Sequence, residues 1–153
     1  MKHSVAFAAI ALLCACANGG IAPSSGAGAV TTSVTKIDVS IAAYGQGQTP
    51  AGPALGFSPL DTTVIVGTGV QFVNVDNTSH TASSVTGTTF PQTSPLTFAA
   101  TTLFGTSLSG GWSTGTLQAG QSSPVLLVDR AGTYLYGCFF HYSGTMRGII
   151  VAQ

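Results

Sequence analysis

The 153-residue chain carries four lysines and arginines against four acids, all of them aspartate, and is formally neutral at pH 7. So few bases exclude a nucleic-acid surface, which needs clustered cations to release counterions, and they leave little long-range field to steer a partner. The length suits one folded domain, and abundant glycine, serine and threonine with recurring short Val, Ile, Thr and Phe segments predict an all-β fold.

In chain order, Met1-Lys2-His3 and the apolar run 5–13 have the form of a secretory signal, with an apolar stretch too short to span a bilayer. Leu13-Cys14-Ala15-Cys16 resembles a bacterial lipoprotein box. The expectation is a signal segment over 1–16, cleaved before Cys16, and a periplasmic or cell-surface protein held to a bacterial membrane by lipid on that cysteine. Cleavage after Ala15-Cys16-Ala17 is the competing reading and would release a soluble protein. Residues 17–32, rich in Gly, Ala, Ser and Pro, have the makeup of a flexible linker.

The folded domain is expected over 33–153. Val34, Ile37, Val39 and Ile41 form the apolar series of a first strand, which the segment 44–50 breaks, and 51–59 reads as a Gly/Pro-rich connection. Two strands follow, 61–66 and 70–75, joined across Gly67-Thr68-Gly69. Residues 81–85 extend as a strand. The segment 87–111 is too long for a structureless loop in a compact domain, so it is expected to hold a short helix or an extra strand. Segments 114–117, 123–128, 133–137 and 147–151 complete a Greek-key β-sandwich of about seven or eight strands.

Chemistry concentrates near the C-terminus. Cys138, His141 and Met146 fall in one stretch, Cys-x-x-His-x-x-x-x-Met, and His80 stands where the strand 70–75 runs into a polar turn. Singly, each has a plainer role: a buried cysteine is a small hydrophobe, a histidine a hydrogen-bonded turn residue, a methionine core filler. Jointly they are harder to dismiss, because 33–153 contains two histidines and one cysteine and all fall at ligand spacing. A thiolate, two imidazoles and a thioether form a soft, mixed donor set suited to copper in both oxidation states. Zinc fits less well, since a thioether does little for it and no further carboxylate or nitrogen is evident to complete its tetrahedron.

This spacing is similar to that of the plastocyanin and pseudoazurin branch of the cupredoxins, the small type 1 blue copper proteins, and the resemblance covers roughly 58–151. It implies one type 1 copper ion held by His80, Cys138, His141 and Met146, with the methionine weak and axial. It implies an electron carrier between redox partners, with no catalytic residue and no enzyme activity. His141 would lie at the surface in an apolar ring where partners dock; Phe139, Phe140 and Tyr142 are candidates for that ring, with at least one packing inward. Membrane contact would come only through Cys16, and the domain would be a monomer. A copper carrier or storage protein that passes on the ion itself is the alternative function, and a metal-free adhesive sandwich a third. Where relatives commonly carry Asn after the first histidine, this chain has Thr81, which leaves open what braces the ligand segments. Trp112 and Tyr134 are read as core packing, Arg147 as a solvated charge, and the sequon Asn77-Thr78-Ser79 as coincidence.

Overall fold

Strand alternation builds the first sheet. In β1 (Val34–Val39) Ile37 and Val39 are fully buried while Lys36 points to solvent. In β6 (Gly69–Asn74) Val70 and Phe72 are fully buried. The two strands run parallel in register, Val34 opposite Gly69 through Val39 opposite Asn74, so their apolar faces merge into one. β4 (Phe57–Ser58) and β10 (Leu126–Leu127) flank them, giving the order β10-β6-β1-β4.

The second sheet is built on β11 (Gly132–Gly137) and β12 (Arg147–Ala152), antiparallel from Gly132 opposite Ala152 to Gly137 opposite Arg147. β5 (Asp61–Val64), β7 (Ser83–Val85), β9 (Ser113–Thr114) and β8 (Leu103–Phe104) complete the order β5-β12-β11-β7-β9-β8. Neighbours distant in sequence, with parallel pairs in both sheets, require the chain to cross repeatedly between layers, as in a Greek-key sandwich.

The layers meet on four aromatic side chains. Phe57 and Phe72 come from the first sheet, Tyr136 from the second, and Trp112 is the residue just before β9. Tyr136 lies edge-on to Phe57 at 4.8 Å and to Phe72 at 5.2 Å, and Phe72 stacks on Trp112 at 5.3 Å. Each such pair adds about 0.5–1.5 kcal/mol beyond its area burial. The expectation of core packing for Trp112 is met: it is fully buried, and Tyr134 packs against the same cluster.

This computed structural model describes residues 33–153, so the signal segment, Cys16 and the 17–32 linker lie outside the described residues. Twelve strands are present among the described residues, where about seven or eight were expected. The surplus consists of pieces of two or three residues that periodicity cannot register. β2 (Gly47–Thr49) falls within the supposed break, and β3 (Gly52–Ala54) and β4 within the supposed connection. The β2–β3 hairpin is closed by a side chain, since Thr49 Oγ1 donates to the Gly52 carbonyl at 2.8 Å and accepts from the Ala51 amide at 3.2 Å. The segment 87–111 contains a 3-10 turn, Phe98–Thr101, and the short strand β8. Ser113 Oγ holds that turn by donating to the Ala100 carbonyl at 2.6 Å. No helix among the described residues is long and apolar enough to cross a membrane.

Candidate metal centre

The antiparallel pair β11–β12 ends on the Gly137–Arg147 rung, and the nine residues 138–146 project beyond it. The Cys138 amide donates to the Met146 carbonyl at 3.0 Å, closing this segment at its base. Within it the His141 amide reaches the Cys138 carbonyl at 3.3 Å, and the 3-10 turn Tyr142–Gly144 ends on Thr145 in the left-handed region at φ 65°. Cys138 and His141 thereby face one another within a few residues of chain.

His80 arrives from the segment just before β7, the neighbouring strand that pairs antiparallel with β11. Its amide donates to the Leu117 carbonyl at 3.1 Å and its carbonyl accepts from the Leu117 amide at 2.8 Å, which fixes the backbone just before β7. The next residue ties the two ligand segments together. The Thr81 amide donates to Cys138 Sγ at 3.4 Å, and Thr81 Oγ1 accepts from the Phe139 amide at 2.8 Å. The bracing left open by the missing asparagine is therefore supplied by threonine.

Cys138 Sγ lies 3.8 Å from His80 Nδ1 and 3.5 Å from His141 Nδ1, and the three donor atoms all fall within 4.8 Å of one another. Two atoms bonded to one ion at ~2.0–2.3 Å can be no more than ~4.3–4.6 Å apart, so both sulfur–nitrogen spacings suit a shared ion. Met146 is fully buried in the core cluster that includes Cys138, against the open face of Gly56. A Cβ on Gly56 would stand 2.8 Å from Met146 Cγ and 3.3 Å from Sδ.

Burial favours the neutral forms of Cys138 and His141. Burial pushes the Cys138 thiol up, partly offset by hydrogen bonds from Thr81, Phe140 and His141. His141 is shifted down by burial and by the neighbouring His80, with Asp76 acting the other way. Metal binding at such a site releases the thiol proton.

One residue escaped the sequence reading. Asp76 is buried, and its Oδ2 lies 3.1 Å from His80 Nε2. Burial alone would push its carboxyl up. Hydrogen bonds from His80, the Asn77 and Ala42 amides and Ser40 outweigh that and hold it well below the usual carboxylate range. The carboxylate sits at Nε2, the ring edge away from the Nδ1 that faces Cys138, so it does not complete a zinc tetrahedron. Its one signal in the sequence is the spacing Asp-x-x-x-His.

Two surface expectations are settled by packing. Tyr142 is the aromatic that turns inward, fully buried, whereas Phe140 remains 44% exposed and Phe139 is partly covered. Arg147 is not a solvated charge. It is buried, its guanidinium stacked 4.2 Å from the centre of the Tyr142 ring, and its Nε donates to the Tyr142 carbonyl at 3.2 Å. The aromatic faces and the carbonyl partly replace the water it gives up.

No family model and no curated protein matches the chain. Among solved structures it is similar to a purple cupredoxin from Nitrosopumilus maritimus, at 21% identity over 78% of this chain and 99% of that one, with a TM-score of 0.49. A reduced amicyanin mutant is 18% identical over 78% of this chain and 82% of its own, TM-score 0.49. Oxidised plastocyanin from Dryopteris crassirhizoma is 23% identical over 78% of this chain and all of its own, TM-score 0.47. All three scores lie below 0.5, and the chain's own donors decide the chemistry. Two imidazole nitrogens around a buried thiol, with a thioether on the same loop, make a soft, mixed donor set of the kind that suits copper.

Proposed function

We propose that the protein is an exported one-electron carrier holding a single copper ion through His80, Cys138, His141 and Met146, with Met146 as the weak axial ligand. The observation that carries this reading is the placement of two histidine Nδ1 atoms at 3.8 and 3.5 Å from one buried sulfur. Bound copper would supply a couple between its two oxidation states. The chain's task is to hold the donors so that little moves when the charge changes. Support on two β-strands and the Thr81 bridge serves that end. Both histidines of 33–153 are taken up by the site, which leaves none for a substrate or oxygen, so no catalytic residue is assigned.

Electrons would enter and leave through His141, the one partly exposed member of the cluster. An aromatic series runs to it across the surface. Phe98, 77% exposed, meets Phe139 edge-on at 6.2 Å, Phe139 meets Phe140 at 5.3 Å, and Phe140 meets His141 at 6.3 Å. With little charge on the chain, redox partners would dock here by apolar contact, and the rate would depend only weakly on salt. We place the protein as a monomer in the periplasm or at the cell surface, lipid-anchored through Cys16 if the lipoprotein box is used.

The carrier or storage reading is less well supported, because His80, Cys138 and Met146 are fully buried and offer an incoming chelator little purchase. Absorbance of the copper-loaded protein tests the choice. Strong blue colour, bleached and restored by reduction and reoxidation, is expected. A colourless Cu(I) protein that surrenders its metal to chelators would overturn the proposal.

A further inference from the structure

We propose that Asp76 is a positioning residue for His80 and that its negative charge lowers the reduction potential of the centre; this rests on the copper reading above. The carboxylate is built into a socket. Oδ2 accepts from the Ile41 amide at 2.9 Å and the Ala42 amide at 3.3 Å, and Oδ1 from the Asn77 amide at 2.7 Å. The Asp76 amide in turn donates to Asn74 Oδ1 at 3.0 Å, and Asn74 Nδ2 donates to the carbonyls of Thr78 and Leu117 at 2.8 and 2.9 Å. Leu117 is the residue that pairs with the His80 backbone. Ring and backbone of His80 are thus held by one connected network.

The consequence for the imidazole is a fixed tautomer. An oxygen already receiving two amide hydrogens is an acceptor, so the proton between Oδ2 and His80 resides on Nε2 and is donated to Asp76. Thr78 Oγ1, 3.2 Å from the same nitrogen, is the only other polar partner of Nε2. Nδ1 then keeps its lone pair toward Cys138. A neutral imidazole so oriented is ready to bind metal, and a carboxylate partner makes it a stronger donor than a carbonyl would. Among the described residues no other carboxylate oxygen lies within 4.0 Å of a basic side-chain nitrogen. A negative charge one ring away stabilises the more highly charged oxidised metal over the reduced one, and so disfavours reduction.

Three measurements test this. In the metal-free wild type, nitrogen NMR of His80 is expected to show the Nε2–H form; an Nδ1–H form would overturn the proposal without any variant. Asp76→Asn keeps an oxygen for Nε2–H and removes the charge, whereas Asp76→Ala removes both. Both are expected to weaken Co(II) and Cu(II) binding by about 10–100-fold, with the Nε2–H preference lost only in the alanine variant. If Asp76→Asn weakens the oxidised ion about tenfold more than the reduced one, its potential rises by about 59 mV. A folded Asp76→Asn protein with wild-type potential and affinity would refute the role and show that the carboxylate merely staples residues 41–42 to the turn. Wild-type protein that takes up copper without blue colour would instead refute the copper reading, leaving the Co(II) and NMR results to decide on Asp76.

Discussion

Gly56 and Gly120 both have φ of +76°, but a side chain would meet very different surroundings at the two positions. At Gly120 an added Cβ finds nothing within 4 Å, while at Gly56 it stands 2.8 Å from Met146 Cγ, 3.1 Å from Cε and 3.3 Å from Sδ. An alanine in the left-handed region costs roughly 1–2 kcal/mol at either position. Overpacking a filled site adds about 1–3 kcal/mol, and this second contribution applies only to Gly56, because Met146 is fully buried and has nowhere open to move. Gly56→Ala is therefore expected to cost ~2–5 kcal/mol and Gly120→Ala ~1–2 kcal/mol. With a urea slope of about 1–3 kcal/mol per molar, the metal-free variants should differ in midpoint by roughly 1 M. After copper loading, the potential and visible spectrum should change in Gly56→Ala alone, because its methyl would displace the thioether proposed as the axial ligand. Equal midpoints and unchanged spectra in both variants would refute the packing of Met146 beneath Gly56 and its axial role.

Phe98→Ala should leave stability within about 0.5 kcal/mol and the potential unchanged, since the ring is exposed. It should slow electron self-exchange, followed by NMR line broadening, by about fivefold, the effect of ~1 kcal/mol of contact; an unchanged rate would remove Phe98 from the docking surface. Thr81→Val strips the Phe139 amide of its acceptor and is expected to lower stability by ~1–3 kcal/mol, with Thr81→Ser restoring most of it in a urea titration. Hydrogen bonds from the Ser109 hydroxyl and amide hold the Asp129 carboxyl below the usual carboxylate range. That contribution is present above the unfolded carboxylate value and is lost as pH falls through the lowered folded one. Ser109→Ala should bring the Asp129 titration back up when followed by carboxyl carbon NMR, and an unmoved titration would count against the bond.

The cluster of His80, Cys138 and His141 was legible because two of its members are encoded within four residues and the third is the only other histidine of 33–153. The six-residue strands β1, β6 and β11, each long enough to show two alternating apolar positions, were legible for the same local reason. What the sequence concealed is non-local. Asp76 looks like an ordinary turn residue until the amides of Ile41 and Ala42, some 35 residues away, close over it. Arg147 looks solvated until Tyr142 folds back beneath it. β2, β3 and β4 occupy Gly/Pro-rich stretches whose few residues cannot establish a period; β2 and β3 pair with each other, and β4 finds its partner in β1.

The contact between the Cys138 amide and the Met146 carbonyl makes residues 138–146 a closed ring seated on the last rung of a ladder. Such a ring tolerates substitution but not a change in its number of links. One residue inserted or deleted between 138 and 146 would throw the sulfurs and the imidazole out of step.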